Sequence, residues 1–159
     1  MKTNKVMVPL DGSELAESAL ADAFDLAPQD GGVVILMRAA EAHVFPGADP
    51  TLAQVDAVAE AENYMADLTA RLARRGIRNI ETRVWYGPPA ASIIEAASVY
   101  KPDLIVMSTH GRSGVGRLIF GSVAESILRG TTIPIFLRRP SEAPVDLPAA
   151  STPPKEVLR

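Results

Sequence analysis

The chain has 159 residues, 47% apolar and 22% charged, with a formal net charge of −3. This suits one globular unit with a single core and excludes wholesale disorder. With no cysteine and only two histidines, disulfides, thiolate metal sites and a multi-histidine metal centre are all excluded.

The acidic balance and an aromatic content of 5% argue against general attraction to nucleic acid and against base stacking. No apolar run has the length of a signal-peptide core or a membrane span, so the expected location is the cytoplasm.

Lys5–Leu10, KVMVPL, reads as a buried strand stopped by Asp11-Gly12. From Ser13 the chain becomes helical, with Ala16, Leu20, Ala23 and Ala27 at helical spacing and Pro28 closing the segment. Gly31-Gly32 introduces a second strand, Val33–Met37, and a loop containing His43, Phe45, Pro46, Gly47 and Pro50 follows. Leu52, Val55, Ala59, Met65, Leu68 and Leu72 are expected to trace one face of a long helix ending at Gly76.

The third strand, Ile80–Tyr86, alternates apolar and polar residues and is expected at a half-exposed edge. Gly87-Pro88-Pro89 launches a helix that buries Ile93, Ile94 and Ala97 and ends at Lys101-Pro102. Asp103–Ser108 is a fourth strand, Ser122–Leu128 a short helix and Ile133–Leu137 a fifth strand.

Strands alternating with helices call for a parallel sheet covered on both faces. Pro134 favours an edge position for the fifth strand, and its apolar neighbours need a cover, expected to be a second copy of the chain in a homodimer, the alternative being the C-terminal tail folded back over it. The folded unit is expected over residues 1–140, with 141–159 a proline-containing flexible tail.

The segment Ser108–Ser122, STHGRSGVGRLIFGS, lies between the fourth strand and its helix. It has the glycine spacing of a P-loop, but Arg117-Leu118 replaces the required Lys-Ser/Thr pair. A dinucleotide fingerprint fails as well, with Ile119 at the third glycine position. The physical logic of anion binding survives, because the loop leads from the carboxyl end of a parallel strand into a helix N-terminus. Ser122 and Glu125 could equally form a capping box. Asp11 has the same two readings, capping with Glu14 or contact with a ribose or a nucleotide-bound magnesium ion. No nucleophile, base and acid can be assembled around His110, so no catalytic residue is assigned.

VMVPLDGSELAESAL, the Gly87-Pro88-Pro89-Ala90 turn and DLIVMSTHGRSGVGRLIFGSVAESILRGTTIPIFLRR together resemble the universal stress protein family over nearly all of residues 4–139. The ATP-binding branch carries glycine, two residues, glycine, nine residues, then Gly-Ser or Gly-Thr. Here Gly111 is the second glycine, Gly121-Ser122 close the motif, and Ser108 stands in place of the first glycine.

The resemblance implies a Rossmann-like adenine nucleotide alpha hydrolase-type fold, with five parallel strands in the order 3-2-1-4-5. It also implies ATP, with magnesium, across the ends of the first, second and fourth strands. Pro9, Leu10, Asp11 and Ala39 would contact the nucleoside, flanked by Met107 and Ser108. Gly111, Arg112, Gly121, Ser122 and Val123 would hold the phosphates. The expected function is a nucleotide-responsive regulator of stress adaptation acting through dimer or partner contacts, with at most slow ATP hydrolysis or autophosphorylation. The alternatives are a dimer of the same fold that binds no nucleotide and, less favoured, an adenylyl-transfer enzyme.

Overall fold

The computed structural model describes residues 3–28, 30–109 and 121–139. Five strands, β1 (Lys5–Leu10), β2 (Val33–Ala40), β3 (Ile80–Tyr86), β4 (Leu104–Ser108) and β5 (Ile135–Arg138), form one parallel sheet in the order β3-β2-β1-β4-β5. The helices are α1 (Glu14–Glu17), α2 (Ala19–Leu26), α3 (Pro50–Arg74), α4 (Pro89–Tyr100) and α5 (Ser122–Gly130). The predicted fold class and order are those observed, and both predicted edge strands are edges. None of the described helices is long and apolar enough to cross a membrane.

Because successive strand residues point to opposite faces, the apolar runs feed two cores. Val6, Val8, Leu10, Val34, Leu36, Leu104 and Val106 pack with Leu20 and Ala23 of α2 and Met65, Leu68 and Leu72 of α3. Met7, Ile35, Met37, Ile105 and Met107 pack on the other face with Ile93 and Ala97 of α4 and Ile127 of α5. Full burial of each such side chain contributes about 1.5–3 kcal/mol, so no single residue carries the fold.

Several local expectations need correction. The segment from Ser13 is two helices, broken at Ser18, whose Oγ donates to the Leu15 carbonyl at 2.6 Å and so competes with the helical ladder. β2 runs three residues beyond Met37, and β5 begins after Pro134, which has no N–H to give a ladder.

The six apolar positions of α3 do not share a face. Met65, Leu68 and Leu72 are buried, whereas Leu52 is 63% and Val55 57% exposed. Ala59 and Met65 are six positions apart, which at about 100° per residue turns the side chain by about 240° and starts a second stripe.

Glu17 was given no role by the sequence, yet it is buried. It accepts hydrogen bonds from Arg71 Nη1 (3.0 Å) and Nη2 (2.9 Å) and from the Tyr64 hydroxyl (2.9 Å). This ties α1, immediately after the first loop, to α3.

Candidate functional site

The site begins where the sheet opens. β1 pairs with β2 along its whole length, Lys5–Val33 to Leu10–Arg38, but with β4 only at Val6–Leu104 and Met7–Ile105. Pro9, lying beyond those pairs, has no N–H for a ladder bond, so it sits in a central strand without leaving an orphan donor. The chain winds from β1 towards β2 and β3, then crosses back to β4, so the opening is the topological switch point of the sheet.

A cavity of about 630 Å3 occupies this end of the sheet. Pro9, Leu10, Asp11, Ala39, Met107, Ser108, Gly121, Ser122 and Val123 all line it, so nine expected site residues come together from four separate segments. Gly111 and Arg112 lie outside the described residues, as do His110 and the 141–159 tail.

The capping readings are both overturned. Ser13, not Asp11, caps α1: its Oγ accepts from Ala16 N at 3.1 Å. Asp11 Oδ1 accepts from Ser13 N (2.9 Å) and Ser13 Oγ (2.6 Å), a local turn that holds the exposed carboxylate at the cavity wall.

At α5 the N-cap is Gly121, with no side-chain capping bond, and Glu125 instead pairs with Arg129 at 2.8 Å. Ser122 is the first helical residue. The amides of this first turn have no partner within the helix, and the positive end of the helix dipole meets the cavity at Gly121, Ser122 and Val123.

Arg38, His43 and Glu60 also line the cavity and had no expected role there. Arg38 donates to Glu60 Oε1 at 2.8 Å, with its guanidinium 4.7 Å from the centre of the Tyr64 ring. Its side chain is only 13% exposed. The available signal was an arginine directly after the apolar run of the second strand, opposite Leu10 once β2 is extended.

Gly12 fits this arrangement for two reasons. Its φ is +86°, and a Cβ there would lie 3.2 Å from Arg38 Nη1. Gly12→Ala is therefore expected to cost about 1–2 kcal/mol of stability in urea unfolding, from the left-handed backbone alone. An unchanged midpoint would show that the loop does not hold this conformation.

The sequence pattern of the universal stress protein family matches residues 2–139. The chain is 29% identical over 136 residues to a universal stress protein of Methanocaldococcus jannaschii, an alignment spanning 84% of this chain and 80% of that relative. Among solved structures, the universal stress protein UspA from Lactobacillus plantarum superposes with a TM-score of 0.70 at 23% identity, covering 87% of this chain and 99% of that one. A universal stress protein solved in complex with cAMP superposes with a TM-score of 0.65 at 21% identity, covering 87% of this chain and 98% of the other.

Proposed function

The chain belongs to the universal stress protein family, and from that membership we propose that it binds ATP in the switch-point cavity and acts as a nucleotide-responsive regulator. The observation that carries this reading is the α5 N-terminus, capped by Gly121 without a side-chain bond and opening into the cavity. Amides that have no partner within the helix, together with the helix dipole, suit a phosphate group there. The cavity volume of about 630 Å3 is within the range of small-ligand sites.

Pro9, Leu10 and the Ala39 backbone would take the nucleoside beside Met107 and Ser108, and Gly121, Ser122 and Val123 the phosphates, together with Gly111 and Arg112. Magnesium would arrive with the nucleotide and neutralise phosphate charge, and the Asp11 carboxylate at the cavity wall would meet it. Among the described residues there is no cluster of three His, Cys, Asp or Glu side chains able to hold a metal by itself. The related protein solved with cAMP supports an adenine nucleotide as the ligand class.

Function would follow from binding linkage: ATP favours one arrangement of the loop after β4, and a partner binds that arrangement more tightly. Protein purified without added nucleotide is expected to release ATP on denaturation. Once stripped, it should bind Mg-ATP with micromolar affinity by calorimetry, with cAMP titrated beside it. No binding by correctly folded protein would assign the chain to a non-binding branch, with Ser108 as its mark.

We propose a homodimer through the β5 edge, where Phe136 is 40% exposed while Ile135 and Leu137 pack against the α4–α5 core. A chain ending at Pro140 should sediment as a dimer, and Phe136→Lys should convert it to monomer. A monomeric shortened chain would remove the dimer.

A further inference from the structure

α3 carries two apolar stripes, and among the described residues only one is buried. Ala61, Met65, Leu68 and Leu72 are buried against the sheet. Leu52, Val55 and Ala59 lie on another side of the helix, and all three are exposed.

The loop leading into α3 adds Val44, 48% exposed, and Phe45, 74% exposed. Phe45 is held by a turn, its carbonyl accepting from Ala48 N at 3.0 Å, immediately before the Asp49 N-cap. Single exposed apolar residues are ordinary, but a concentration of large ones marks an interaction surface. Four of the nine large exposed hydrophobics among the described residues fall between positions 44 and 55.

The charge around them has one sign. Segment 41–62 contains Glu41, Asp49, Asp56, Glu60 and Glu62 and not a single Lys or Arg. Arg38 reaches Glu60 from β2, on the cavity side of the helix. Glu41 and Glu60 line the cavity, which leaves Asp49, Asp56 and Glu62 as the charges beside the exposed apolar residues, so the outer face is apolar with an acidic surround.

We infer that the outer face of α3's first half, formed by Leu52, Val55 and Ala59 with Val44 and Phe45 of the preceding loop, docks a protein partner presenting a basic amphipathic helix. Large apolar side chains of such a helix would cover Phe45, Leu52 and Val55, and flanking Lys or Arg would meet the acidic groups. A second copy of this chain is disfavoured, because a two-fold contact would set the acidic surround against itself. An anionic lipid surface is disfavoured by the same charges.

The docking face stands whatever fills the cavity. Ala57 and Glu60 line the cavity from these same turns, so a nucleotide and the partner would contact different sides of one helix segment.

The test uses the full chain and a synthetic peptide about 18 residues long, with Leu and Lys at helical spacing. A Leu/Glu peptide of the same pattern is the control. Calorimetry is expected to show binding of the Leu/Lys peptide that weakens with salt. Binding should weaken by at least about tenfold in Phe45→Ser and in the Leu52→Ser/Val55→Ser double variant. It should be unchanged in Val99→Ser, a comparably exposed position on α4. These side chains are exposed, so the variants should keep the wild-type circular dichroism spectrum.

No binding of the Leu/Lys peptide, equal binding by the variants, or preference for the Leu/Glu peptide overturns the inference. Self-association that disappears in the double variant would assign the face to a second copy, and binding of phosphatidylserine vesicles that disappears there would assign it to a membrane. Either result overturns the partner proposed.

Discussion

Gly121→Val is expected to weaken Mg-ATP binding by more than about 100-fold, equivalent to about 2.7 kcal/mol, while leaving the fold intact. Gly121 has φ −57° and ψ 152°, an extended conformation that any residue adopts, so valine brings no backbone strain. The cost to the fold is a poorer N-cap, about 1 kcal/mol. The cost to binding is larger, because the new side chain would stand where the phosphates must approach the first-turn amides.

Calorimetry of the stripped variant checks the first effect and urea unfolding the second. Wild-type affinity in Gly121→Val would move the ligand away from α5 and remove the proposed phosphate site. Ser122→Ala should cost less, since the Ser122 hydroxyl is one donor beside several amides.

Glu17→Ala is expected to lower stability by about 3 kcal/mol. Breaking a buried ion pair costs about 3–5 kcal/mol because the remaining charge loses its partner. The lower end applies here: the Arg71 side chain is 30% exposed and keeps Asp67 at 2.8 Å, whereas Glu17 is 8% exposed. Tyr64→Phe, which removes one hydrogen bond to Glu17, should cost only about 1 kcal/mol. A loss below 1 kcal/mol for Glu17→Ala would mean that water replaces the pair without penalty.

This cluster also carries a pH dependence. Burial, then the neighbouring Glu17 carboxylate, push the Tyr64 phenol well above its ordinary value. A raised pKa in the folded state means the contribution is fully present below the unfolded value of about 10 and is lost as pH climbs further. Wild-type stability should therefore fall more steeply above about pH 10 than that of Tyr64→Phe. Parallel curves in urea unfolding at alkaline pH would contradict the placement of Tyr64 beside Glu17.

Much of the frame could be read locally. The unalternated runs of β1, β2 and β4 marked buried parallel strands, and the alternation of Ile80–Tyr86 marked an edge. Capping was less readable. Ser122 and Glu125 have capping-box spacing, but the helix starts one residue earlier than that pattern requires, so Gly121 occupies the cap and the serine lies within the first turn. Spacing constrains the chemistry available to a helix end, while backbone dihedrals decide which residue takes it.

The sequence by itself determined the order and kind of the elements, the edge strands and the glycine and proline positions that end them. Each depends on periodicity or on φ/ψ preferences acting within a few residues. Only the tertiary structure decided which of α3's two apolar stripes is buried, and that the sheet opens at Pro9 into a cavity lined by nine of the expected site residues. It also joined Glu17 to Tyr64 and Arg71, 47 and 54 positions along the chain, and brought Arg38 to Glu60 beside the cavity. These outcomes depend on which groups lose water together, and that is decided between segments distant in sequence rather than within any one of them.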